Sequence, residues 1–203
     1  LLGIMRLIAK QGAMGNVEIK DLAKYMGRVS STAFMYGGDN DKNIGILGAL
    51  AQVSMKGGQS SSAEATRSAA AFARDLTKGA ALERFNQAGI DIFTDSTKTA
   101  LRGPEQIITD FLKKSGGNFA DLAKLFQNQS SRAVVLGFEN IYKSAGGGDK
   151  GLAAVSAEFK RFSTSMSQAD VSAQAKTALD SPEARAQAMQ NRLDTLAQTL
   201  VDR

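Results

Sequence analysis

Few residues in this chain could do chemistry. Its 203 residues include neither Cys nor His. That excludes thiol nucleophiles, disulfides, thiolate or imidazole metal ligands and every imidazole acid–base mechanism. A serine triad has no base without histidine. Paired carboxylates remain the one route to hydrolysis. Asp91 and Asp95, four apart around Ile92-Phe93, are the best such pair, because they stand in the one stretch that does not read as helix. A glycosidase sets two carboxylates across a sugar cleft, normally with aromatics to stack on. Three Tyr and no Trp argue against one. Turn formation and capping of a following helix account for both residues.

Two further motifs fail on inspection. Asp39-Asn40-Asp41-Lys42-Asn43 has the alternating oxygen ligands of a calcium loop. That loop needs glycine at its sixth position and a bidentate glutamate at its twelfth, and here those are Ile44 and Leu50. A helix N-terminus rich in capping residues explains the run better. Residues 146–151, Gly-Gly-Gly-Asp-Lys-Gly, lack the spaced first glycine and the Lys-Ser/Thr pair of a phosphate loop. The residues therefore point to no enzyme, no cofactor and no metal.

The elements that must position Asp91 and Asp95 are helices. Gly89 closes one, and Pro104 opens the next at a first-turn position, where its missing N–H costs nothing. Between them Ile90, Ile92 and Phe93 carry an extended apolar segment, followed by the polar run from Thr94 through Asp95 to Thr99. We read Gly89, Ile90, Ile92, Phe93, Asp95 and Pro104 as a structural hinge, with the three apolar side chains as its buried pin. Elsewhere apolar residues recur at helical spacing. Examples are Ile19, Leu22, Ala23, Met26 and Val29, in a helix to about Met35, and Ile46, Leu47, Leu50 and Val53. Others are Ala65, Ala69, Phe72, Ala73 and Leu76, then Ile107, Ile108, Phe111 and Leu112, then Val134, Phe138, Ile141 and Tyr142. Glycine pairs at 37–38, 57–58, 116–117 and 146–148 stand between these stripes, each ahead of a capping residue, as at a tight helix–helix turn. Ser61 and Glu64 have the spacing of a capping box.

Composition sets the character of the core. Apolar residues make up 43% of the chain but aromatics only 6%. Alanine supplies much of the remainder; it favours helix and buries little area, so a thin core with closely packed helices is expected. The formal charge of +5 is spread along the chain, with Lys113-Lys114 its densest basic spot; nucleic-acid binding is not expected. No apolar run approaches the roughly 18 residues of a membrane span. The Leu-Leu start, without a signal-peptide layout, is that of a piece of a longer protein.

The C-terminal third changes pattern. Leu152, Val155, Phe159, Phe162, Met166, Ala169 and Ala173 step by threes and fours, as in one long helix. Ser181-Pro182 then starts another, in which Ala186, Met189, Leu193, Leu196 and Leu200 form a coiled-coil-like stripe. Those five are the candidates for self-association into a homo-oligomer. The expected architecture is all-α: a compact array of short helices joined by Gly-Gly turns, one short extended segment near 89–95, and a long C-terminal helix. Residues 1–150 would form the compact module, and 151–203 would lead into a rod or coiled coil.

One resemblance adds to this reading. At Gly89-Ile90-Asp91-Ile92-Phe93-Thr94-Asp95, then Leu101-Arg102 and residues 108–112, the chain resembles the core region of phage tail tape measure proteins. In that family a helix ends in Gly-Ile/Val, an alternating apolar pair and an Asp follow, and an Arg-bearing link leads into an amphipathic helix. Upstream, the apolar helix 44–55, the turn Gly58-Gln59-Ser60 and the Ala-rich helix 62–76 follow the same order. The resemblance covers roughly residues 17–165. Family members often carry glycine a few residues after the Asp and again after the Leu/Ile-Phe pair, where this chain has Lys98 and Gln127. The resemblance implies a structural virion protein inside the tail of a long-tailed phage, present in the host cytoplasm during assembly. It would set tail length and leave ahead of the DNA at ejection. Its implied partners are the tail tube protein, tail tip or baseplate proteins and tail assembly chaperones. The alternatives are a phage-tail-associated wall hydrolase and a cellular helical scaffold or adaptor.

Overall fold

Residues 44–53 are apolar or small almost without a break, so a helix built from them has no face to give to water. The computed structural model describes residues 34–37 and 40–164. In it that helix is α1 (Asn40–Lys56), and Leu47, Ala49, Leu50, Ala51 and Val53 are buried on all its sides. A 3-10 turn at Phe34–Tyr36 precedes α1. After it come α2 (Ser62–Leu76), α3 (Gly79–Gln87), α4 (Pro104–Ser115), α5 (Phe119–Leu125), α6 (Gln129–Ser144) and α7 (Gly148–Ser163). The described residues are thus helical, and none forms a strand; a single antiparallel bridge pairs Phe93 with Leu101. Helices α2, α6 and α7 pack directly on α1, while α4 joins them chiefly through α7. These helices belong to one unit that runs to Ser165, so α7 packs with the helices before it.

The joints form where glycine and capping chemistry place them. Gly116, at φ 60°, closes α4 in the left-handed conformation, and Asn118 Oδ1 accepts from Ala120 N–H at 2.9 Å. At the head of α2, Ser61 Oγ accepts from Glu64 N–H at 3.3 Å. The reciprocal half of the box is displaced by one residue. The Glu64 carboxylate takes the Ser60 backbone N–H at 3.2 Å and the Ser60 hydroxyl at 2.9 Å, which holds Glu64 below the usual carboxylate range. Asp149 does not cap α7. The helix begins at Gly148, Gly147 is its N-cap, and the Gly148 N–H is satisfied by the Tyr142 hydroxyl at 2.9 Å.

Two other expectations change. The helix expected to reach about Met35 lies mostly outside the described residues, and its last residues form the 3-10 turn. The stripe begun at Leu152 does not continue in one helix to Ala173. Helix α7 ends at Ser163 and Thr164 is extended, at φ −88° and ψ 134°. Met166, Ala169 and Ala173 lie outside the described residues, as do the expected C-terminal helix and its coiled-coil pattern.

Helices this poor in large side chains cohere by close approach. A β-carbon added at Gly57 would stand 1.8 Å from the Ala133 carbonyl oxygen, and one at Gly137 would stand 1.9 Å from that of Val53. Gly57, just past the end of α1, and Gly137, within α6, each meet the backbone of the facing helix, and α1 and α6 touch backbone to backbone. Aromatics fill what remains. Phe72, Phe85 and Phe126 bind α2, α3 and the α5–α6 link, with Phe72 stacked on Phe126 at 5.2 Å and Phe85 edge-on to it at 5.4 Å.

Candidate functional site

Residues 88–103 connect α3 to α4 without helix, and the residues expected to form the hinge lie here. Gly89 stands at φ 66° just past the end of α3, and Pro104 opens α4 behind the N-cap Gly103. Ile90 and Ile92 are buried, whereas Phe93 is half-buried and packs against the edge of the core. The chain then folds back on itself. Thr94 N–H donates to Ala100 O at 3.0 Å and Arg102 N–H to Ile92 O at 2.9 Å. On the other side of this hairpin Leu101 N–H donates to Met35 O at 2.8 Å.

Two cations fasten the connection to α4. Arg102 donates to the Asp91 carbonyl at 2.6 Å and pairs with Asp110 at 2.9 Å. Lys114 reaches back from the last turn of α4 to the carbonyls of Ala88 and Gly89, at 3.0 and 2.5 Å. Carbonyls at the end of α3, without partners inside that helix, are thereby met by an ammonium group. The sequence marks Arg102 as part of the link but gives no sign of the role of Lys114, whose partners lie 25 and 26 residues away.

Asp91 and Asp95 do not converge on a cleft. Asp91 Oδ1 accepts from Phe93 N–H at 3.1 Å, and Asp95 Oδ1 accepts from the N–H and hydroxyl of Thr97 at 3.0 and 2.6 Å. Each closes its own turn. The Thr97 hydroxyl bond, followed by backbone N–H groups of residues 97–99, holds the exposed Asp95 carboxyl below its ordinary range. Asn40, Lys42 and Asn43 of the calcium-like run lie in α1, and Asp39 lies outside the described residues. No group of three or more Asp or Glu able to hold a metal occurs among the described residues.

Beside the hairpin opens a cleft of about 680 Å³ that the sequence did not suggest. Tyr36, Lys42, Arg102, Glu105, Phe159 and Lys160 line it, from the 3-10 turn, α1, the hairpin, α4 and α7. Glu105 folds back over Gly103, where an added β-carbon would stand 2.5 Å from Oε1 and 2.6 Å from Oε2. Burial pushes its carboxyl above the usual range, opposed by its own backbone N–H and by the charges of Lys42 and Arg102. Burial also pushes the Tyr36 phenol far up, and the Glu105 charge adds to this. Neither the Tyr36 hydroxyl nor Glu105 Oε2 has a hydrogen-bond partner. Residues distant in sequence and ordinary in type leave no local signal of such a site.

The fold and site define an all-α domain organised on a buried central helix, with one stapled hairpin between α3 and α4. No helix among the described residues is long and apolar enough to cross a membrane. Comparison of the chain with known protein families, with curated proteins and with solved structures finds no match. The residues expected to mediate self-association, Ala186, Met189, Leu193, Leu196 and Leu200, lie outside the described residues.

Proposed function

We propose that this chain is a module of a phage tail tape measure protein, a structural and non-enzymatic part of the tail that helps set its length and leaves during DNA ejection. The reading rests on the resemblance over residues 17–165. One observation carries it beyond the quoted motif. Lys98 is the sole non-glycine residue with positive φ among the described residues, at 55°, and it falls where members of that family often carry glycine. A left-handed turn there would account for glycine in relatives and for a strained lysine here. The order of helix, Gly89, apolar pair, Asp, Arg102 and amphipathic α4 agrees with the same family layout. Asp91 and Asp95, each occupied by its own turn, make the wall-hydrolase reading the weaker one.

The partners follow from this reading: tail tube, tail tip or baseplate proteins and assembly chaperones, with the stripe from Ala186 to Leu200 joining copies of the chain. The working length of a tape would lie in continuous helix, at about 1.5 Å per residue, rather than in this glycine-jointed module. Mass spectrometry of purified phage particles, before and after triggered DNA release, tests the proposal. Peptides of this chain should be present in filled particles and depleted after ejection; their absence from filled particles would refute it. Sedimentation of the chain with and without residues 182–203 tests self-association separately.

A further inference from the structure

The 3-10 turn at Phe34–Tyr36 rests on the hairpin as a strap. Leu101 N–H donates to Met35 O at 2.8 Å, and a β-carbon added at Gly37 would stand 2.8 Å from that of Ala100. Gly37, at φ 65°, then turns the chain toward α1. Among the described residues the Met35 bond is the one backbone hydrogen bond that ties the strap to the hairpin. What lies beneath is fastened several times over. Backbone bonds from Thr94 and Arg102 close the hairpin, and the Arg102 guanidinium joins it to α4 through Asp110 and to the Asp91 carbonyl. The strap is therefore the piece that can leave alone.

Its ring seals a carboxyl. Tyr36 is 7% exposed and feels the charge of Glu105, so the two side chains are neighbours. Glu105 Oε2 is closed off from water and meets no donor, and the Tyr36 hydroxyl beside it meets no partner either. An ionised carboxylate in that state costs far more than a protonated one. Lys42 on α1 and Arg102 on the hairpin favour the ionised form, and Lys160 on α7 lines the same cleft. Arg102 is shared with Asp110 on α4. Burial outweighs these cations and holds the carboxyl above its usual range. Lifting Tyr36 away would return water to Glu105 and leave the bonds of Arg102 intact.

We propose that Glu105 is a pH-sensitive latch for this strap. With Glu105 protonated the Phe34–Tyr36 turn stays docked; with Glu105 ionised the turn lifts from the hairpin and α4 about Gly37, while the helices stay folded. The latch holds best below the ordinary glutamate value, about 4.3. It loosens as pH rises through the value of the closed state, with the opening constant growing by at most tenfold per pH unit.

Two adjacent amides separate this opening from any larger one. Leu101 N–H is bonded to the strap, whereas Arg102 N–H is bonded inside the hairpin to Ile92 O. Amide hydrogen exchange of the 203-residue chain, followed by NMR at about pH 4, 5.5 and 7 and divided by the intrinsic rate at each pH, tests the latch. Between the lowest and highest pH, protection of the Leu101 amide should fall at least tenfold further than that of Arg102. Glu105→Gln, which has no charge to bury, should leave Leu101 protection level with pH. Equal changes at the two amides, a Leu101 amide indifferent to pH, or a fall that survives Glu105→Gln would each overturn the proposal. If the variant does not fold, the two wild-type amides still decide.

Discussion

Gly137 on α6 lies so close to Val53 on α1 that a β-carbon there would stand 1.9 Å from the Val53 carbonyl oxygen. The obstacle is backbone in the central helix α1, so no side-chain rotation relieves it. Gly137→Ala gains about 1 kcal/mol of helix propensity but must force α1 and α6 apart. A net loss of about 2–3 kcal/mol is expected in urea unfolding. An unchanged or raised midpoint would show that the two backbones are not in contact.

Ile92 tests the connection between α3 and α4. Its side chain is 3% exposed, and Ile92→Asp would place a charge there with no partner. A loss of roughly 4 kcal/mol or more is expected, enough to abolish the cooperative thermal melt of a domain of ordinary stability. Thr94→Asp, at an exposed position two residues on, should change the melt little. Equal behaviour of the two variants would exclude a buried pin.

Lys98 makes the opposite prediction. A left-handed backbone costs a non-glycine residue about 1–2 kcal/mol, and the position is exposed. Lys98→Gly should therefore raise stability by roughly 0.5–1 kcal/mol. A lower melting temperature would mean that the loop is not held in this turn.

Glu105 predicts a pH dependence. Its folded-state pKa is raised by burial, so its contribution is most favourable below the ordinary glutamate value and is lost as pH rises through the folded value. Glu105→Gln removes that loss. The variant should gain on wild type as unfolding is measured at about pH 4, then 5.5, then 7. A gap that stays constant with pH would exclude a raised Glu105.

The helices and their ends were legible because the signals that set them are local. A cap, a glycine turn or a proline at the first helical position acts within about one turn of the chain, and Gly89, Pro104, Gly116 and Ser61 stand where those rules place them. Small shifts crept in where a neighbour competed for the same partner, as the Ser60 N–H and hydroxyl did for the Glu64 carboxylate and the Tyr142 hydroxyl for the N–H at the head of α7. The end of α7 was misread because Met166, Ala169 and Ala173 extend the same periodicity, and periodicity alone does not report where a helix stops.

What the sequence determined by itself, then, is that the described residues form short helices with an extended break beginning at Gly89. It also excluded thiol and imidazole chemistry outright, since that follows from residue types alone. Tertiary structure decided which helix is central, that Gly57 and Gly137 are contact surfaces, that Lys114 serves α3, and that Tyr36, Lys42, Glu105 and Lys160 face one cleft. Each of those facts joins residues far apart in the chain, and the free energy that pairs them comes from packing and from meeting buried polar groups, which act across space and leave no period or spacing in the sequence.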